Sequence, residues 1–276
     1  MDLRRSIIAA VLGLAPGAMH AADLQKGLQA FHEGDYATAL AECRPLAERG
    51  DPSGEFVLGV MFFEGKGVPQ DRAKGAHWTL EAAKQGVADA QYNLAMMYAK
   101  GEGVPQDFAQ SAGWLRKAAD QGVREAQYNL ATFYLEGKGV TRDPLRAAQW
   151  NRKAALAGSA DAQFNMAMMY ERGEGVPQDD AQALAWYGRI ATKGEPAVLL
   201  HMAELYASGR GVAAPDRVTA YALVELALSG DPGDARALAR RDALIAAMRP
   251  AEFESGKALL RKMQAMGVME ALEPAR

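Results

Sequence analysis

Gly101-Glu102-Gly103-Val104-Pro105-Gln106-Asp107 decides the fold, because the same frame stands at a fixed step up and down the chain. It follows Gly65-Lys66-Gly67-Val68-Pro69-Gln70-Asp71, and it returns from Gly137 to Asp143 and from Gly173 to Asp179. A degraded copy begins at Gly209-Arg210-Gly211-Val212. The step is 36 residues, and other series keep it: Ala83, Ala119, Ala155, Ala191 and Ala227; Gly86, Gly122, Gly158, Gly194 and Gly230; Trp78, Trp114, Trp150 and Trp186. A fixed period of this length marks a repeat array, in which each unit buries its faces against its neighbours.

One period reads as two antiparallel helices. Ala90, Leu94, Met97 and Tyr98 fall at i, i+4, i+7 and i+8, one apolar face of a helix. Gly101 then supplies the left-handed residue that ends helices. Pro105 is expected in the first turn of the next helix, with Asp107 placing negative charge near its start. That helix carries Ala109, Trp114, Ala118 and Ala119 and stops at Gly122. No segment alternates with period two, so strands are not expected. Ala95, Ala118 and Ala119 are small enough to let helix backbones approach, while Trp114 and Tyr98 fill the space beside them.

The Ala-Gln-Tyr-Asn-Leu-Ala run from Ala90 to Ala95 (repeated from Ala126), Tyr98, the glycine-valine loop to Asp107, and Trp114, Ala118, Ala119 and Gly122 together resemble Sel1-like repeats. These are relatives of the tetratricopeptide repeat with a longer loop between helices. The resemblance covers about residues 50 to 230 and implies an all-α fold, a right-handed α-solenoid of antiparallel helix hairpins with a concave side. Five repeats of about 36 residues are expected over 51–230. Residues 23–50, with Gly34-Asp35-Tyr36 and Ala39-Leu40, look like a tetratricopeptide hairpin capping the amino-terminal end. Pro45 is expected to kink the second helix of that hairpin. Over 231–276 two further helices, Asp231 to Met248 and Pro250 to about Met266, are expected to cap the other end.

The first residues follow a different logic. Arg4 and Arg5, the apolar run from Ile7 to Leu14, then Pro16, Gly17 and Ala18 have the layout of a secretory signal peptide over 1–22, cut after Ala21 or Ala22. The alternative is an ordinary first helix. The apolar run is too short to span a bilayer, so no transmembrane span is expected in the mature chain. Export predicts a periplasmic location.

Composition narrows the functional classes. Net charge is −3 over 276 residues, with 49% hydrophobic content, which fits a folded chain without the basic face a nucleic-acid binder needs. Cys43 is the single cysteine, so no intrachain disulfide forms, and it reads as a small buried hydrophobe. His32, His77 and His201 are scattered and have no cysteine pair beside them, so neither a metal nor another cofactor is expected. The Gly-x-Gly-Val loops follow helices and recur, which makes them caps and turns instead of phosphate cradles. There is no Gly-x-Ser-x-Gly elbow and no Ser-x-x-Lys signature, and no catalytic residues are assigned.

By the resemblance, the first helix of each repeat lines the concave side, and the chain is expected to be a non-enzymatic scaffold or adaptor of the bacterial envelope. It would bind a protein or peptide partner in that groove, with self-association as a further option. The candidate contacts are Tyr92, Asn93, Met96 and Lys100, then Tyr128 and Asn129, then Phe164, Asn165 and Arg172, then His201. An amide offers both donor and acceptor, so Asn93, Asn129 and Asn165 could pair with a peptide backbone whatever its sequence. They could equally hydrogen-bond the adjacent repeat and set its geometry, with the aromatics in the inter-repeat core. Met96, Met97, Met168 and Met169 read first as core filler. An alternative function within the family is a β-lactam-associated or other cell-wall-related hydrolase. The members linked to that activity carry a bridged cysteine pair in each repeat, which this chain lacks.

Overall fold

In the computed structural model, which describes residues 18–191 and 195–273, every regular element is a helix. The expected signal segment lies outside the described residues, apart from the backbone of 18–22, which opens the first helix. The chain divides into two compact units, 1–143 and 144–276.

The first unit holds α1 (Ala18–Glu33), α2 (Tyr36–Glu48), α3 (Pro52–Glu64), α4 (Arg72–Lys84), α5 (Ala88–Lys100), α6 (Phe108–Asp120) and α7 (Arg124–Glu136). These form consecutive hairpins, α3 with α4 and α5 with α6 each spanning most of one 36-residue period. Ala90, Leu94, Ala95 and Ala118 are fully buried, so the small residues do bring helix backbones together. Pro45 lies inside α2, yet the helix is continuous through it to Glu48. Cys43 is buried in the same helix, and burial pushes its thiol up to about 12.

The repeated loop works differently from its sequence reading in one respect. Pro105 stays in the loop, and α6 begins only after Asp107. Asp107 has extended backbone and its carboxylate accepts from the N–H groups of Ala109 and Gln110 at 2.9 and 3.0 Å. That satisfies donors a proline cannot reach, so the N-cap and not the ring sets the start. Gly101 closes α5 at φ 71, donating its N–H to Met97 O. Gln106 folds back and donates from Nε2 to Ala99 O at 2.8 Å. Gly103 has a separate duty: a Cβ there would sit 2.2 Å from Arg72 O in the preceding repeat.

A glutamine ties neighbouring repeats. Gln91 donates from Nε2 to Ala83 O at 3.1 Å, reaching from α5 to α4, and Gln127 does the same from α7 to Ala119 O at 3.1 Å. Both side chains are buried; Gln91 Oε1 accepts from Gln121 Nε2, whereas Gln127 Oε1 has no partner among the described residues.

The second unit holds α8 (Pro144–Leu156), α9 (Ala160–Arg172), α10 (Asp180–Ala191), α11 (Pro196–Ser208) and α12 (Arg217–Gly230), followed by α13 (Ala235–Ala247), α14 (Pro250–Met266) and α15 (Val268–Leu272). Gln163 repeats the tie, donating to Ala155 O at 3.0 Å. The last helices pack on the second helices of the repeats. Gly256 of α14 takes the Tyr221 ring of α12 against its backbone, and Met269 of α15 lies against Gly188 of α10. The short helix α15 is an addition to the two terminal helices expected from the sequence. No helix among the described residues is long and apolar enough to cross a membrane.

Candidate functional site

In the first unit, α5 carries four of the candidate residues. Tyr92 is only 8% exposed, so its ring belongs mostly to the packing between repeats, and burial pushes its phenol up. Met96 and Lys100 lie further along the same side. With Asn93, Met97, Val60, Phe63 and Glu102 they line a pocket of about 210 Å³ between α3 and α5. Lys100 is exposed, and the charge of Glu102 is faced by Arg72 at 3.8 Å. On the next first helix, Tyr128 and Asn129 are half-buried. Asn129 donates from Nδ2 to the Tyr92 hydroxyl at 3.3 Å and lies 3.5 Å from Met96 Sδ. Its amide is thus engaged with the preceding repeat.

Asp89 opens α5 on the same stripe. Partial burial, with a smaller contribution from the charge of Glu125, pushes its carboxyl up to about 6. This end of the surface therefore resists holding another negative charge near neutral pH.

The second unit gathers a different set. Phe164, Tyr187 and His201 form an aromatic cluster, with Tyr187 stacked on His201 at a centroid distance of 5.3 Å and an interplanar angle of 16°. Phe164 meets both rings, at 5.8 and 5.7 Å. Glu171 holds the cluster's polar edge: the Tyr187 hydroxyl donates to its Oε2 at 2.8 Å, and His201 Nδ1 lies 3.3 Å from the same oxygen. Burial first, then the hydrogen bond to Glu171 and its charge, push the Tyr187 phenol well above its ordinary value. It remains a donor, an anchoring group for the carboxylate.

His201 and Glu171 face a wider cleft of about 610 Å³, whose far wall is Asp234, which caps α13, with Arg236 and Arg240 of that helix. Arg240 pairs with Glu204 across it. Arg172, expected beside His201, is exposed at the end of α9 and is not among the residues lining the cleft. Asn165 donates from Nδ2 to the buried Asn151 Oδ1 at 3.4 Å, again an intrachain use of the amide.

The structure thus brings Asn93, Met96 and Lys100 to one pocket and Phe164 and His201 to one cluster, and it gives Asn129 and Asn165 partners within the chain. Glu171, Tyr187, Arg236 and the tying glutamines were not singled out from the sequence. The glutamines carried a signal, since Gln91, Gln127 and Gln163 stand at the repeat period. Among the described residues no group of three His, Cys, Asp or Glu side chains is placed to hold a metal ion.

Comparison with known proteins gives these hairpins a family. The Sel1 repeat family model matches five consecutive segments, residues 52–87, 88–123, 124–159, 160–195 and 196–231. Among solved structures, a protective antigen of uropathogenic Escherichia coli with an SLR fold is similar at 33% identity and a TM-score of 0.72, covering 98% of this chain. The chain spans 58% of that antigen's length. A Sel1 repeat protein from Oxalobacter formigenes is similar at 28% identity and a TM-score of 0.67, over 74% of this chain and 83% of its own. The search of curated proteins returned no match. Proteins built from these repeats generally act as protein-interaction scaffolds. With five matched copies and helical hairpins to go with them, the chain belongs to the Sel1 repeat family.

Proposed function

We propose that this chain is a non-catalytic scaffold, exported to the periplasm, that holds a segment of a partner protein on the face built from the first helices of its repeats. The observation that carries this reading is the position of the openings. The pocket at Asn93 and Met96 and the cleft at His201 are both lined by first-helix residues, one in each unit. The first has mainly apolar walls with a few polar groups, the composition of recognition sites, while the second is mostly charged, with Pro196, Ala197 and Leu200 as its apolar part. The signal-like start, with Arg4 and Arg5 before the apolar run from Ile7 to Leu14, supports an envelope role for such a surface.

The test is in-cell crosslinking with a photo-reactive amino acid in place of Lys100 or His201, followed by identification of captured proteins. The reading requires the same envelope protein from both positions, and less of it from a control position such as Gln149 on the outer side of α8, which is exposed. Capture only from the control position would overturn it. Mass spectrometry of the mature chain tests export separately: cleavage after Ala21 or Ala22 is expected, and a chain retaining Met1 would refute it.

A further inference from the structure

Asn93 and Asn129 occupy the same position one period apart, yet their amides have different fates. Asn129 finds the Tyr92 hydroxyl and Met96 Sδ in the repeat before it. One period earlier, the residues that stand in place of Tyr92 and Met96 are Phe56 and Val60. Phenylalanine has no hydroxyl and valine no sulfur, so the preceding repeat offers Asn93 neither acceptor. Asn93 is 6% exposed, and among the described residues its side chain has no hydrogen-bond partner. Valine is also shorter than methionine, and the pocket of about 210 Å³ opens beside Val60. The same pair of residues accounts for both the unpartnered amide and the space next to it. Its amide atoms are not among those sealed from water, so they open onto the pocket and stay free to pair with what enters it.

We propose that this pocket is a subsite for an extended peptide segment that carries one large apolar side chain beside an acidic residue. The inference rests on the reading of the first-helix face as the recognition surface. The apolar side chain packs against Val60, Phe63 and Met96. A cavity of about 150 Å³ accepts a benzene ring, so this one takes a leucine, methionine or phenylalanine side chain. The Asn93 amide pairs with the main chain at that residue, because a peptide unit presents a donor and an acceptor together and carries no charge. Lys100, exposed on the pocket rim and without an ion pair among the described residues, meets the carboxylate. Glu102, also on the rim, is already faced by Arg72. With Asn129 bonded to Met96 Sδ, that wall is held in place before any ligand arrives.

The experiment is panning of a random-peptide display library on the full chain, with the enriched peptides then measured on variants. Enriched peptides are expected to pair a large apolar residue with a neighbouring Asp or Glu. Val60→Met fills the pocket with the side chain found one period later, and binding should fall at least about tenfold through lost apolar burial. Lys100→Glu should remove the acidic preference. Asn93→Leu should abolish binding and leave the melting midpoint close to that of the wild type, because the amide has no partner in the chain to lose. No enrichment, enrichment without the apolar–acidic pair, equal binding by Val60→Met, or undiminished binding by Asn93→Leu would each overturn the subsite. Crosslinking from positions 100 and 201 that still captures one partner would then confine the failure to the subsite. Loss of both results would remove the groove reading as well.

Discussion

Gln121 donates from Nε2 to Gln91 Oε1 at 2.8 Å, while Gln91 donates onward to Ala83 O at 3.1 Å. The two amides link the end of α6 through α5 to α4, so one buried side chain serves both its own hairpin and the preceding one. Gln121 also donates to Gly86 O at 2.9 Å, in the turn between the repeats. Gln91→Leu keeps the volume but takes the side-chain donor from Ala83 O, which keeps the Gly86 N–H at 3.1 Å, and removes one acceptor of Gln121. The expected loss is about 0.5–1.5 kcal/mol of unfolding free energy. Urea denaturation of the variant measures it, and an unchanged midpoint would show that water replaces the link without cost.

The loop glycines separate by what surrounds them. Gly103 has φ 76, and a Cβ there would come within 2.2 Å of Arg72 O, a backbone atom that cannot swing away. Gly113 lies exposed within α6 with open space around it. Gly103→Ala should therefore destabilise by more than about 2 kcal/mol through strain and displacement of α4. Gly113→Ala should stabilise by about 0.5–1 kcal/mol by removing helix-interior glycine. Thermal melts of the two single variants test the contrast, and like signs would refute it.

Much of this was legible in the residues and some was not. The period, the all-helical class and the burial of Ala90, Leu94 and Ala118 follow from spacing alone, because a hairpin of this size must bury two faces. The start of α6 was not legible, because Pro105 and Asp107 are both start signals two residues apart. Only the carboxylate's contact with two N–H groups decides between them. The cluster in the second unit hid for a similar reason. Successive helix residues turn by about 100°, so Glu171 faces the cleft while its neighbour Arg172 is exposed. Tyr187 reaches Glu171 from another helix, a meeting that no local pattern encodes.

Asp89 gives the chain a pH dependence with a definite sign. Its carboxyl is pushed up to about 6 from an ordinary value of 3.8, chiefly by burial and secondly by Glu125. Between those pH values the folded state binds more of this proton than the unfolded state, so stability falls as pH rises. The Asp89 contribution is most favourable below pH 3.8 and reaches its full penalty above pH 6. Asp89→Asn should raise the denaturation midpoint at pH 7 and flatten the profile across this window. Glu125→Gln should do so more weakly, because burial remains. A wild-type profile that rises across the window, with Asp89→Asn leaving it unchanged, would contradict the assignment.

Asn93 and Asn129 should respond differently to the same substitution. Asn129→Leu removes the donor to the Tyr92 hydroxyl, a buried group left with one partner fewer, and loosens Met96. Because the bond is long at 3.3 Å, the expected loss is at the low end, about 0.5–1 kcal/mol. Asn93→Leu removes an amide that has no partner in the chain and still reaches water, so stability should change by less than about 0.5 kcal/mol. Tyr92→Phe provides the internal check. It takes the acceptor from Asn129 and recreates there the setting that Phe56 gives Asn93, so Asn129→Leu placed on Tyr92→Phe should cost less than on the wild type. A double-mutant cycle by urea denaturation reads the coupling directly. Additive effects would mean that the hydroxyl does not support the Asn129 amide, and that the contrast between the two asparagines has another origin.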